Sequence, residues 1–222
     1  MTDSRFHVQC IMRRLRPIER TLPTIEAVMG AGIGSIQLRD EAASMTAMIQ
    51  AIKRTPSWDR ERLVVNGDPK VAGEFGLRWL HLPSQWIELT PPFGRFARVG
   101  ISVHSLEEAI EAEALGADYV TFGHIYSSLS HPDEAGRGPA ALAGIVERLA
   151  IPVLAIGGIV HANIGEVVAT GCAGAVVISA IVDHPDPGHA ARQLLDIAAR
   201  ADGQPKVALP PMPASAKMGS SQ

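Results

Sequence analysis

Three stretches of the sequence carry side chains suited to chemistry. In Tyr119-Val120-Thr121-Phe122-Gly123-His124-Ile125-Tyr126, an imidazole follows a short apolar run. An imidazole with an ordinary pKa of about 6.5 takes and gives a proton near neutrality. His124 is therefore an acid–base candidate, set against the commoner structural role of a lone loop histidine. In Gln37-Leu38-Arg39 the polar residues stand two apart, which in a strand places them on one face. The planar fork of Arg39 suits a carboxylate or phosphate, and it suits equally a surface pair with Asp40 or Glu41. The third stretch is double: Ala155-Ile156-Gly157-Gly158-Ile159 and Val177-Ile178-Ser179-Ala180. Glycines there let backbone amides approach an anion closely, which makes Gly157, Gly158, Ile178 and Ser179 candidates for holding a phosphate.

Other polar residues are less distinctive. Asn66 is a turn former or a ligand contact, His81 points into a site or fills space, and Ser102 ends an apolar run. His104 reads as a helix-start residue, and His7, His131, His161, His184 and His189 as solvated loop residues. Trp58, Trp79 and Trp86 read as packing or rim residues. Cys10 and Cys172 read as two reduced small hydrophobes, and no Cys or His spacing suggests a metal site.

Positioning these groups requires a scaffold, and the hydrophobic pattern supplies one. Strands are predicted at Phe6–Ile11, Ser35–Leu38, Arg62–Val65, Trp79–Leu82, Arg98–Ser102, Tyr119–Phe122, Pro152–Ala155 and Ala175–Ile178. Most lack strict alternation, as expected when both faces of a parallel sheet are buried. Helical patterns lie between them: Thr24–Ala31, Ala43–Arg54, Pro69–Phe75, Ser84–Arg95, Leu106–Leu115, Pro139–Leu149, Ala162–Thr170 and Gly188–Arg200. Ser105 and Glu108 form a candidate capping box, and Gly32, Gly116 and Gly171 are candidate left-handed helix ends. Eight strand–helix pairs in 222 residues favour one α/β domain, a single (β/α)8 TIM barrel over residues 1–202. In such a barrel, catalytic side chains come from the carboxyl ends of the strands, and the loops after strands seven and eight often hold phosphate. Residues 203–222, rich in Pro, Ala, Ser and Lys, read as a disordered tail.

Composition narrows the partners. A formal net charge of −3 gives no general attraction to nucleic acid or an anionic membrane. The start of the chain lacks a basic segment followed by an apolar run, and no stretch is long and apolar enough to span a bilayer, so a cytoplasmic location is expected. A small molecule is the expected partner, with homo-oligomerisation left open.

Taken together, these stretches resemble the thiamine phosphate synthase and thiazole tautomerase family from about Phe6 to Arg200. The landmarks are Gln37-Leu38-Arg39, Val64-Val65-Asn66, His81-Leu82, Gly100-Ile101-Ser102-Val103-His104-Ser105, Ala117-Asp118-Tyr119, Ala155-Ile156-Gly157-Gly158-Ile159 and Val177-Ile178-Ser179-Ala180-Ile181. The synthase branch joins a pyrimidine diphosphate to a thiazole phosphate with magnesium. Its pattern has Lys two residues after the Arg, Asp directly after the Asn, and a Thr-x-Thr-Lys loop after the sixth strand. This chain has Glu41, Gly67 and Ser127-Ser128-Leu129-Ser130-His131-Pro132-Asp133-Glu134 instead. Replacing a cation by a carboxylate opposes a departing diphosphate. Asp68 is the remaining acidic candidate for a metal ligand. Phe122-Gly123-His124, Gly67, Leu82-Pro83-Ser84 and Gly136-Arg137-Gly138 are similar to the tautomerase branch.

The resemblance thus implies a thiazole tautomerase, an isomerase that aromatises the carboxythiazole phosphate released by thiazole synthase, without metal or redox cofactor. His124 would be its proton shuttle. Gly157, Gly158, Ile178 and Ser179 would hold the phosphate, and Arg39, Ser102 or Asn66 the carboxylate, beside Gln37. Arg137 and Gly138 would belong to a lid. The alternatives are a magnesium-dependent thiamine phosphate synthase and a non-catalytic barrel that binds thiazole phosphates.

Overall fold

Short apolar runs become eight parallel strands that close on themselves in chain order: β1 (His7–Met12), β2 (Ser35–Leu38), β3 (Leu63–Asn66), β4 (Trp79–Leu82), β5 (Arg98–Val103), β6 (Tyr119–Gly123), β7 (Val153–Ile156) and β8 (Gly174–Val177). The structure is a computed structural model, and it describes residues 6–89, 94–127 and 135–212. Pairing of His7 with Gly174 and of Cys10 with Val177 closes the ring between β1 and β8. The chain is thus a single (β/α)8 barrel.

The helices around it are α1 (Ile18–Gly30), α2 (Ala42–Ile52), α3 (Pro69–Glu74), α4 (Leu106–Ala114), α5 (Gly138–Arg148), α6 (Ile164–Ala169), α7 (Ser179–Val182) and α8 (Pro187–Arg200). Ser105 accepts the Glu108 amide at 3.2 Å, and the Glu108 carboxylate reaches back to the His104 amide at 2.7 Å, one residue further than a capping box reaches. Gly32, Gly116 and Gly171 do take left-handed φ angles of 93°, 95° and 74°. Two expectations fail. Of the helix expected over Ser84–Arg95, the described residues form only a 3-10 turn, Ser84–Ile87, and residues 90–93 lie outside the described residues. The first helix starts at Ile18, not Thr24, and carries Pro23 inside it.

Because strand side chains alternate, the barrel has two cores. Outward-facing residues such as Val8, Cys10, Ile36, Leu38, Leu63, Val65, Leu80 and Ile101 pack under the helices. The inward-facing set is mixed. Ile11, Val64, Trp79, Tyr119, Leu154 and Val176 form an apolar inner cluster, while Gln9, Ser35, Gln37, His81, Arg98 and Thr121 are buried polar residues. No buried side-chain nitrogen or oxygen among the described residues lacks a hydrogen-bond partner. A barrel lumen this polar is stable only when such groups satisfy one another.

Both cysteines are buried and unpaired, and burial pushes the Cys10 thiol up to about 12. No helix among the described residues is long and apolar enough to cross a membrane.

Residues 203–212, the described part of the segment expected to be disordered, run across the amino-terminal end of the barrel. Lys206 donates to the Val146, Glu147 and Leu149 carbonyls at the end of α5. Leu209 and Met212 pack on the inner apolar cluster, and the Pro210 carbonyl accepts from buried Arg98.

Candidate active site

Two hydrogen-bond ladders climb the lumen toward the carboxyl ends of the strands. In the first, Ser35 Oγ lies 2.9 Å from His7 Nε2, and Gln9 Nε2 donates to that hydroxyl at 2.9 Å. Gln37 Nε2 donates to Gln9 Oε1, and Asn66 Nδ2 donates to Gln37 Oε1, both at 2.9 Å. In the second, Trp79 Nε1 donates to Tyr119 Oη at 3.0 Å. That hydroxyl lies 3.0 Å from His81 Nδ1, and His81 Nε2 lies 2.9 Å from Ser102 Oγ. Thr121 Oγ1 also donates to Ser102 Oγ, at 3.3 Å. Strand register ties the ladders together, since Asn66 pairs with His81 and His81 with Gly100. Gln37, Asn66 and Ser102 are thereby gathered at one mouth.

Burial sets the charge state of these groups. The His81 imidazole is lowered to about 3, first by burial and then by the positive charge of Arg39. His7 is lowered to about 3 by burial, with Arg98 and Arg62 adding to it. Burial raises the Tyr119 hydroxyl above its ordinary value, against the opposing effect of donation from Trp79 and of the Arg98 charge and donation from Gln9. Both ladders are therefore neutral at pH 7. His7 is not a solvated loop residue: its ring lies 5.5 Å from that of Trp79, tilted by 48°, and a side chain on Gly34 would run into it.

Arg39 follows Leu38, the last residue of β2; its side chain is exposed while Gln37 is buried, and its charge still acts on His81 inside the lumen. Among the described residues, no ion pair joins it to Asp40 or Glu41. The Asp40 carboxylate instead accepts the amides of Leu15 (2.7 Å) and Glu41 (2.8 Å), fastening the loop after β1 to the loop after β2.

His124 stands just beyond β6, 8% exposed. Its Nε2 lies 3.2 Å from the Ala135 carbonyl, an atom that only accepts, so Nε2 carries the proton. Gly136-Arg137-Gly138 folds back onto the same loop: the Arg137 amide donates to the His124 carbonyl and the Gly138 amide to Ile125. Arg137 Nε donates to the His104 carbonyl at 2.9 Å. Residues 128–134 of that loop, His131 included, lie outside the described residues.

Gly157 and Gly158, at φ 102° and 65°, press against this loop. A side chain on Gly157 would overlap His124, and one on Gly158 would meet Ser127 O at 2.6 Å. The glycine pair thus serves close packing as well as a left-handed turn. Ile156 pairs with Val176, so Gly157-Gly158 and Ile178-Ser179 emerge side by side. Ser179 opens α7, a short helix that the sequence reading did not anticipate.

Sequence reasoning missed Gln9 and Thr121, took Trp79 for a packing or rim residue, and saw Tyr119 only as a landmark. Each lies in an apolar run, and only its inward position reveals it.

A parallel (β/α)8 barrel with polar side chains from several strand ends gathered at its carboxyl-terminal mouth has the architecture of an enzyme. Within that class, the chain belongs to the thiamine monophosphate synthase family, whose model matches residues 8–181. It is 34% identical to the thiamine-phosphate synthase of Chlorobium phaeobacteroides over 188 residues, 82% of this chain and 89% of that protein. It is 36% identical to a bifunctional thiamine biosynthesis protein of Symbiobacterium thermophilum over 81% of this chain, and the match spans only 39% of that protein. Among solved structures, thiamine phosphate pyrophosphorylase from Pyrococcus furiosus matches 90% of this chain and 98% of its own, at a TM-score of 0.71 and 28% identity.

These relatives are named for the synthase, and that overturns the isomerase expectation, the thiazole tautomerase with His124 as shuttle. Phe122-Gly123-His124 does not by itself distinguish the branches. The structure gives that histidine a positional tie as well, its Nε2 proton lying against Ala135.

The synthase resemblance brings magnesium with it, and the described residues do not fit a protein-held ion. No group of three His, Cys, Asp or Glu side chains among them converges as a cation site. Asp68 caps α3, with Oδ1 accepting the Lys70 and Val71 amides at 2.9 and 3.0 Å. Position 67 is a glycine at φ 77°.

Proposed function

We propose that this chain is a transferase that joins a pyrimidine diphosphate to a thiazole phosphate, with release of diphosphate. The carrying observation is the convergence of Gln37, Asn66 and Ser102 from three strands at one mouth, in a chain that matches the synthase family through most of its length. In this reading the mouth orients the two rings. The amides of Gly157, Gly158, Ile178 and Ser179 hold the thiazole phosphate, consistent with the usual place of phosphate in such barrels. Arg39 and Arg137 supply positive charge to the departing diphosphate. Glu41 and Gly67 in place of the lysine and aspartate leave less charge stabilisation, so turnover is expected to be slow.

The test supplies pyrimidine diphosphate and thiazole phosphate together, with and without added magnesium, and measures coupled product and free diphosphate. One diphosphate per product, with a sharp loss in Ser102→Ala, supports the transferase. Gly67 and Glu41 favour a second reading, a non-catalytic thiazole-phosphate binder. Binding of thiazole phosphate with no coupling under either condition would establish that reading instead.

A further inference from the structure

We propose that Trp79, Tyr119 and His81 form a one-way hydrogen-bond ladder that makes Ser102 an obligate donor, so that the ligand atom meeting Ser102 at the mouth is an acceptor. This deepens the proposed function and rests on the mouth being the ligand site.

The direction follows from the lowest rung. An indole N–H only donates, so Trp79 places a hydrogen on the Tyr119 oxygen at 3.0 Å. The phenol has its own proton left to give, and His81 Nδ1 at 3.0 Å receives it. Nδ1 is then the bare nitrogen, and a neutral imidazole carries its hydrogen on Nε2. That hydrogen points at Ser102 Oγ, 2.9 Å away. Thr121 Oγ1 donates to the same oxygen at 3.3 Å. Ser102 therefore accepts twice from below, and its single O–H is directed to a group outside the ladder.

Reversing the ladder would place both Trp79 and His81 as donors on the Tyr119 oxygen and leave the phenol proton without an acceptor in a buried site, an arrangement that costs the desolvation of an unmade hydrogen bond. Exposure supports the same direction. Trp79, His81, Tyr119 and Thr121 are each at most 2% exposed, whereas Ser102 is only half-buried. Packing holds the rungs in place: Gly100 has no side chain because the Tyr119 ring occupies that space, and the Trp79 and Tyr119 rings meet edge to face with centroids 5.9 Å apart. Trp79 and Tyr119 are thus positioning residues, acting through His81, and the specificity they set is for a phosphate or carboxylate oxygen or an unprotonated ring nitrogen.

Two measurements test this. Nitrogen-15 NMR of imidazole-labelled wild-type protein reads the His81 tautomer directly. The proton is expected on Nε2, and a proton on Nδ1 would overturn the proposal whether or not any variant folds. The second is a double-mutant cycle on the dissociation constants of thiazole phosphate and of pyrimidine diphosphate, measured separately. Tyr119→Phe and Ser102→Ala are each expected to weaken one of the two ligands by about 3- to 10-fold, the scale of one hydrogen bond. The double variant should bind no worse than Ser102→Ala alone, because the ladder has no terminus left to orient. The ligand that shows the coupling is the source of the acceptor atom. Additive penalties for both ligands, or unchanged affinity in Tyr119→Phe, would overturn the ladder. Binding is read without turnover, so a chain with the expected tautomer and cycle but no coupled product would overturn only the transferase reading.

Discussion

Gly157 lies so close to His124 that a single added methyl would overlap the histidine's Cα and Cβ. The loop after β7 therefore fixes the loop after β6, and the left-handed φ of 102° at Gly157 makes the contact possible. The loop bearing Gly157 and Gly158 and the loop bearing His124 are thus in direct contact.

Gly157→Ala is expected to displace His124 and weaken thiazole phosphate binding at least 10-fold, with a stability loss above about 1 kcal/mol from strain at positive φ. Calorimetric titration and urea unfolding of the same sample measure both. Unchanged affinity would mean that the two loops are independent.

Gly100→Ala addresses the lumen. The new methyl would occupy the place of the Tyr119 ring, which is wholly buried. Overpacking of this kind costs about 1–3 kcal/mol, and Tyr119→Leu in the same chain should recover part of it. A thermal midpoint equal to wild type in the single variant would contradict the packing described.

Stability should fall as the solution is acidified below neutrality. His81 has a folded pKa of about 3 against an ordinary 6.5, so between these values the unfolded chain binds a proton that the folded chain refuses. The loss begins near pH 6.5 and continues toward pH 3, with a limiting slope of about 1.4 kcal/mol per pH unit per histidine. His7 acts in the same direction over the same pH window, since its folded value is also about 3. Urea midpoints at pH 7, 6 and 5 should decline more steeply in wild type than in His81→Gln. Parallel declines would mean that other groups carry the effect.

Lys206→Met removes the ammonium that three carbonyls at the end of α5 accept. A cost of about 0.5–1 kcal/mol is expected, roughly 1–4 °C in Tm. Affinity for thiazole phosphate should not change, since this contact lies at the opposite end of the barrel from the mouth. A change in affinity with constant Tm would refute that separation.

Much of this protein was legible in its residues because the relevant signals are local. Apolar runs separated by helical patterns placed all eight strands to within a residue at each end, and glycines at positions 32, 116 and 171 marked helix ends through their backbone freedom. The candidate site was half legible. Gln37, Asn66 and Ser102 were named because each falls at a strand end, where barrel chemistry collects. Phe122-Gly123-His124 points to the other branch of the family, but it is too short a stretch to outweigh similarity over residues 8–181.

The sequence by itself determined the order of elements, the closed barrel and the polar groups at its mouth, since periodicity and strand ends are properties of neighbouring residues. Only the tertiary structure decided which of those groups touch. Gln9 and Ser35, or Trp79, Tyr119 and His81, lie tens of residues apart and become rungs of one ladder through strand register and ring closure. It also decided that Arg39, one residue past the end of β2, stays exposed while its charge acts on buried His81. Direction of donation, burial of a histidine and closeness of two loops are relations between distant segments, and no local pattern encodes them.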